Sequence, residues 1–214
     1  MDELWIQEED LQEALQEHFL PFKIFLTGGT PKVYCSSVEA NPDKSEMDYL
    51  IKFLCTAKTY PLYLSFSVEY FNLKEYKAEL DELGLEYELN YSTTKKAYYV
   101  SSRVKRYYSS ACFCVKLMDA ETVAKAINAI YGIAQSNEFF LLSSEDNVRF
   151  DHKERVAVID ERPESFFIIV GHDGHGFYLF SNEERYSSIK RLMDNLPEGT
   201  EVTQINDKLI DEID

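Results

Sequence analysis

Two histidines three residues apart, in the stretch FFIIVGHDGHGFYLF from Phe166 to Phe180, have the types and spacing that could do chemistry in this 214-residue chain. Asp173-Gly174 lies between them with apolar runs on either side. That pair predicts a two-residue type I′ hairpin turn, because both central positions need positive φ and Asp and Gly tolerate it. His172 then faces His175, with Val170 opposite Phe177 and Ile168 opposite Leu179 on the same side as the histidines. Gly171 and Gly176 fall opposite each other on the other side, where a strand glycine marks the close approach of a ligand or another backbone. Cross-strand Cβ atoms lie about 5.5 Å apart or less. Imidazoles at that spacing suit two ligands of one zinc ion, an acid and base pair, or the polar tip of an ordinary hairpin. Zinc needs a third and usually a fourth ligand, and only His18, His152, four cysteines and the common carboxylates could supply them. The reading is a hairpin tip with no metal and no cofactor, with His172 and His175 kept as the candidate catalytic residues.

A second stretch, KKAYYVSSRVKRYYSS from Lys95 to Ser110, interleaves cations with tyrosines. The chain carries −16 overall, yet Leu89 to Met118 holds no Asp or Glu and six Lys or Arg, so the remainder carries −22. Such a composition stacks on bases and pairs with phosphates. It also protects an antiparallel edge strand from aggregation, or pairs internally with an acidic segment such as the N-terminus. Overall charge opposes the encounter with nucleic acid. Arg with Tyr is the pairing enriched in binding hot spots, so Arg103, Lys105, Arg106, Tyr107 and Tyr108 are the candidate binding residues. Strand alternation puts Tyr99, Ser101 and Arg103 on the side expected to be exposed.

Other motifs offer less. Leu26-Thr27-Gly28-Gly29-Thr30-Pro31 lacks the Lys-Ser/Thr and the following helix of a phosphate loop, and reads as a hairpin turn. Cys112-Phe113-Cys114 points both sulfurs to one strand face, with Ala111, Phe113, Val115 and Leu117 on the other. Cys35, Cys55, Cys112 and Cys114 show no CxxC spacing and are expected to be free thiols. The serine doublets sit in no GxSxG elbow.

The elements that must position these residues follow from periodicity. Amphipathic helices are expected at 8–19, carrying Leu11, Ala14, Leu15, His18 and Phe19, and from Asn41-Pro42-Asp43 with Met47, Leu50, Ile51 and Leu54 inward. A third runs from an Asn72–Glu75 capping box to Gly84, a fourth from Asp119 with Val123, Ala126, Ile127 and Ile130, and a last from Ser181 to Pro197. Strands are expected at 22–26, 32–38, 61–70, 85–91, 96–104, 110–117, 138–143, 155–160, 166–171, 176–181 and 200–205. Three strands, a helix and a strand occur twice, at 85–144 and 145–214, after an N-terminal α+β segment at 1–84. The fold class is α+β, with a largely antiparallel sheet, helices packed on one face and two related meander–helix–strand halves, either as separate units or as one compact domain.

No uncharged apolar run of about 18 residues is present, and the acidic N-terminus is unlike a secretory signal, so a cytoplasmic protein with no membrane partner is expected. With no evident catalytic constellation, the functional expectation is a small acidic binding or regulatory protein, of inhibitor or immunity type, that neutralises a basic protein partner. The alternative is an enzyme on a small phosphorylated or acidic substrate, with His172 and His175 as acid and base and Arg103 or Arg106 as anion clamp.

Overall fold

The computed structural model describes residues 2–16, 20–38, 46–101 and 104–210. Ten strands, numbered in chain order, form one large sheet. Its order is β13 (Lys208–Leu209), β12 (Thr200–Ile205), β1 (Asp2–Glu9), β3 (Lys32–Val38), β11 (Phe177–Ser181), β10 (Phe166–Val170), β7 (Phe140–Ser143), β4 (Leu62–Val68), β6 (Val104–Leu117) and β5 (Glu86–Ser101). Every pair is antiparallel except β1 with β12. A second sheet holds β2 (Lys23–Thr27), β9 (Val156–Asp160) and β8 (Val148–Asp151). The fold is thus α+β with a large, mostly antiparallel sheet, and strands from 1–84, 85–144 and 145–214 all contribute to it.

One face of the large sheet is covered by helices. The sheet presents Leu64, Phe66, Phe113, Val115, Ile168, Val170, Phe177 and Leu179 to Tyr49, Leu50, Phe53 and Leu54 of α2 (Glu46–Ala57) and to Val123, Ala126, Ile127 and Ile130 of α4 (Ala120–Ile130). α3 (Leu73–Glu82) adds Leu80, the short α5 (Gly132–Gln135) adds Ile133, and α6 (Ile189–Asp194) adds Leu192. The opposite face packs Val33, Leu141, Phe167, Ile169 and Phe180 against Phe22, Ile24, Ala157 and Ile159 at the small sheet and Ala14 of α1 (Leu11–Gln16). β10 and β11 therefore lie between two layers, and all ten of their residues are buried. Each buried Phe, Leu or Ile there stabilises by roughly 1.5–3 kcal/mol. None of the helices is long and apolar enough to cross a membrane among the described residues.

Several expected elements are corrected. Residues 8–19 are not one helix: β1 runs to Glu9 with Leu4 and Ile6 buried at alternate positions, and Asp10 starts α1 by accepting from the N–H of Gln12 and Glu13. His18 and Phe19 lie outside the described residues, as do Asn41, Pro42 and Asp43. Asn72 itself takes helical φ and ψ, so its side chain makes no cap and no box forms with Glu75. The box forms at Asp119 instead, with Thr122. Ser181 belongs to β11, and the last α-helix is the shorter α6, capped by the Ser188 hydroxyl. The Thr27-Gly28-Gly29-Thr30 loop is no hairpin turn, since it carries the chain from the small sheet to the large one. Gly28 is needed there: at φ +94, a Cβ would sit 2.4 Å from the Glu161 carbonyl. The strands read at 85–91, 96–104 and 110–117 are two long strands, β5 and β6, and 155–160 pairs in the small sheet rather than with 166–171.

Candidate functional site

The basic stretch forms a projecting arm. β4 pairs with Ala111–Leu117 of β6 only, so the ladder from Lys95↔Ser109 through Tyr98↔Arg106 to Ser101↔Val104 is flanked by no third strand. At about 3.4 Å per residue this two-stranded segment extends roughly 20 Å past the sheet. A bulge between Tyr91 and Lys95 separates it from the packed part of the hairpin.

The root of the arm is tied on one side. Lys96 Nζ donates to Glu69 Oε1 at 2.5 Å, Ser110 Oγ donates to Glu69 Oε2 at 3.4 Å, and the Tyr108 hydroxyl also donates to Glu69. Burial pushes the Glu69 carboxyl up, but these three donors outweigh it and hold it below the ordinary value of 4.5. Burial and the Glu69 carboxylate together push the Tyr108 phenol up to about 12. Tyr70, Tyr98 and Tyr108 form a ring trio with centroids 5.6 to 6.5 Å apart. Tyr108, a candidate binding residue, is thus a half-buried part of the root.

The distal part is open. Tyr99 is 69% and Tyr107 62% exposed on the same face, with Lys105 Nζ 5.8 and 5.3 Å from their ring centroids. Lys105 and Arg106 are exposed, and neither pairs with a carboxylate among the described residues. Arg103 lies outside the described residues. Among the described residues the arm does not pair with the acidic N-terminus, since β1 stands near the opposite edge of the sheet and Lys96 is the arm cation tied to an acid, Glu69. Lys105, Arg106, Tyr107 and Tyr99 are therefore brought together on one exposed structure.

The histidine hairpin is built differently. Asp173 (φ 58) and Gly174 (φ +81) make the expected turn, closed by the His175 N–H on the His172 carbonyl at 3.0 Å, and the ladder pairs Ile168 with Leu179 and Val170 with Phe177. The turn is clamped by a neighbouring segment. Asn137 Nδ2 donates to Asp173 Oδ1 at 2.7 Å, Asn137 Oδ1 accepts from the Asp173 N–H at 2.8 Å and lies 2.9 Å from His172 Nδ1, and the Tyr131 hydroxyl donates to the Gly174 carbonyl at 2.8 Å.

His172 and His175 both border an open groove of about 490 Å³, with Cys35 and Tyr178 in its lining. Gly176, at φ +64, leaves no room for a side chain, since a Cβ there would meet the Ser36 carbonyl at 2.7 Å. Trp5, Gln7, Glu9 and Ser37 complete its walls, and no Lys or Arg lines it among the described residues. Beside His175, Glu46 accepts from the Ser37 hydroxyl and the Val38 N–H, and burial pushes its carboxyl up against those hydrogen bonds. Arg106 is on the arm, four strand spacings away across β10, β7 and β4, which is roughly 19 Å at 4.8 Å per strand. The structure does not bring the His pair and this guanidinium together.

No disulfide joins the four cysteines, and Ala111, Phe113, Val115 and Leu117 face the helix-side core as the alternation predicts. Among the described residues no three His, Cys, Asp or Glu side chains converge as metal ligands. Glu69 and Glu46 were not singled out by sequence, and His152 only as a possible further zinc ligand: Glu69 takes its donors from β5 and β6, Glu46 from the end of β3, and His152 is buried beside Phe150. Compared with known protein families, curated proteins and solved structures, the chain matches none.

Proposed function

We propose that the chain is a non-catalytic binding protein of inhibitor type that engages a protein partner by presenting the β5–β6 arm to an acidic cleft on that partner. The observation that carries this reading is the arm itself. An isolated two-stranded ribbon is marginal in water, yet this one is rooted through Glu69 and displays Tyr99, Lys105, Arg106 and Tyr107; Lys105 contacts the two rings, and neither cation pairs with a carboxylate among the described residues. Aromatic rings with unpaired cations at an exposed tip are the composition of interface hot spots. The −22 on the rest of the chain repels an acidic partner everywhere except at the arm, which fixes the docking register. This reading departs from the expectation of a basic partner, in that the patch proposed to meet the arm is acidic.

A photo-crosslinking side chain placed at Tyr107, with the same group at exposed Phe25 as control, tests this in native lysate. One stoichiometric protein adduct from Tyr107 and none from Phe25 is the expected result. Equal labelling at both positions, or none at Tyr107, removes the arm from the site. The second reading, an enzyme using His172 and His175, is favoured by their sharing one groove and opposed by the absence of an anion clamp from its described lining.

A further inference from the structure

The double glycine of Thr27-Gly28-Gly29-Thr30, which is neither a phosphate loop nor a hairpin turn, makes room for a buried carboxyl. Glu161 follows β9 and donates its N–H to the Thr27 carbonyl at 2.8 Å. Its side chain reaches the end of β11, where Asn182 Nδ2 donates to Oε1 at 2.9 Å. A Cβ on Gly29 would sit 2.9 Å from Glu161 Cγ and 2.6 Å from Asn182 Nδ2, so both groups use space that a side chain at that position would take. One carboxyl thus joins three segments: the end of the small sheet, the connection between the sheets, and the end of β11 in the large one.

The surroundings suit an acid rather than a carboxylate. Glu161 is 4% exposed, and its Oε2 has no hydrogen-bond partner. A buried carboxylate needs a cation or several donors to offset its lost hydration. The Ser165 hydroxyl lies 3.4 Å from Oε1, but its one proton has the Arg162 carbonyl at 2.7 Å, which leaves the Ser165 oxygen able to accept from a protonated Glu161. Charged groups on the neighbouring segments are engaged elsewhere. Arg162 pairs with Glu145, Arg185 with Glu183, Arg191 with Glu184 and Lys32 with Glu8, Asp160 accepts from the Thr27 hydroxyl, and Glu164 is exposed. Burial accordingly pushes the Glu161 carboxyl up to about 7, with the Ser165 contact opposing.

We propose that Glu161 is a proton-operated latch between the two sheets: as a carboxylic acid it holds the Gly28-Gly29 connection against the end of β11, and as a carboxylate it lets that corner open. The opening is local. Elsewhere the layers meet through Ile24, Ala157 and Ile159 on Phe167, Ile169 and Phe180, apolar contacts with no charge to titrate. The latch uses no residue of the arm, so it stands or falls apart from the partner reading. Its folded-state pKa lies above the ordinary 4.5, so its contribution is fully present below 4.5, declines as the pH rises and is gone above about 7. That difference corresponds to a change on the order of 100-fold in the ratio of open to closed corner.

The test follows the full chain between about pH 4.5 and 8 by hydrogen exchange at the Glu161 and Asn182 amides, corrected for the intrinsic pH dependence, and by the ¹³C resonance of the Glu161 carboxyl. The expected result is a carboxyl midpoint near 7 and a loss of protection on the order of 100-fold at both amides, with the Ile168 and Leu179 amides of the β10–β11 ladder unchanged. Glu161→Gln should keep its own amide and that of Asn182 protected throughout. Asn182→Ala, which removes a donor to the carboxylate, should move the wild-type midpoint higher. If the Gln variant fails to fold, the wild-type carboxyl midpoint and the direction of the Asn182→Ala shift decide. A carboxyl midpoint near 4.5 overturns the proposal. So does protection that falls equally in Glu161→Gln, or by the same factor along the β10–β11 ladder.

Discussion

Two hairpins of one sheet end in opposite ways. The β10–β11 turn at Asp173-Gly174 is held by Asn137 and Tyr131 and lies between the groove and α5, whereas the β5–β6 arm leaves the sheet and carries its rings and cations into solvent. Both combine turn-forming or polar residues with flanking aromatics, and composition alone does not separate them. What separates them is whether the backbone polar groups and side chains at the tip find partners in the same chain. A clamped tip contributes to folding, and an unclamped one with hot-spot residues is available to something else.

The largest expected effect breaks the comparison at the clamped tip. Gly174→Val forces a β-branched residue to φ +81 and drives its Cβ to within 2.8 Å of Gln135 Cγ. The left-handed backbone and the overlap together should cost about 2–4 kcal/mol, read as a shift in the urea midpoint. Lys105→Val on the arm should change stability by no more than about 0.5 kcal/mol. Equal losses at the two positions would mean that the arm is as much part of the folded core as the clamped turn.

The comparison is sharpened next at the arm. Reversing Arg103, Lys105 and Arg106 to Glu should weaken partner binding by about 100-fold or more while the far-UV spectrum and melting temperature stay as they are. Unfolding of that triple variant would show an internal role and remove the arm from the site. The His172→Ala, His175→Ala double variant should leave the same binding intact. Its stability should fall by about 1 kcal/mol, from the contact of His172 with Asn137, and any measured turnover lost with the two rings would favour the enzymatic reading.

The smallest effect is a pH dependence at the arm's root. Glu69 has a folded-state pKa below its ordinary value, so its contribution is present above 4.5 and disappears as pH falls through the lower folded value. The ring resonances of Tyr98 and Tyr108 should shift toward those of exposed tyrosine in that acid range, with the β10–β11 turn unaffected. Glu69→Gln should abolish the step; a step that persists in the variant assigns it to another carboxylate.

Features governed by neighbouring residues were legible in the sequence. The type I′ turn follows from Asp173-Gly174 alone, and β3 and β12 match their expected spans because alternation and flanking turn residues agree. β1 was missed because Asp, Glu and Gln around Leu4 and Ile6 resemble a helix surface, and only pairing with β3 and β12 makes the segment a strand. The arm was broken at Ser92-Thr93-Thr94 and at 105–109, between the expected strands, because polar residues there look like turns when they are expected only at loops. A ribbon exposed on both faces has no apolar alternation to read. Arg106 and the histidines were grouped by chemistry, and the strand order that keeps them apart is not local information. His152 carries no signal in Asp151-His152-Lys153, since its ring packs on Phe150 only in the folded chain and the Lys96 charge that acts on it comes from another strand.

The single parallel pair of the large sheet, β1 with β12, joins residues about 200 positions apart, with the Asp2 N–H on the Gly199 carbonyl and the Asn206 N–H on the Ile6 carbonyl. During synthesis at about 5–20 residues per second, one edge of β1 therefore waits roughly 10–40 s for its partner to be made. An unpaired edge is a template for pairing with other nascent chains. Asp2 and Glu3 at one end of β1 and Glu8 and Glu9 at the other place negative charge along that edge for the whole interval. Acidic residues at an edge oppose pairing with other chains, so neutralising Glu3, Glu8 and Glu9 should lower the yield of soluble chain while costing the finished protein no more than the exposed Glu8–Lys32 pair is worth.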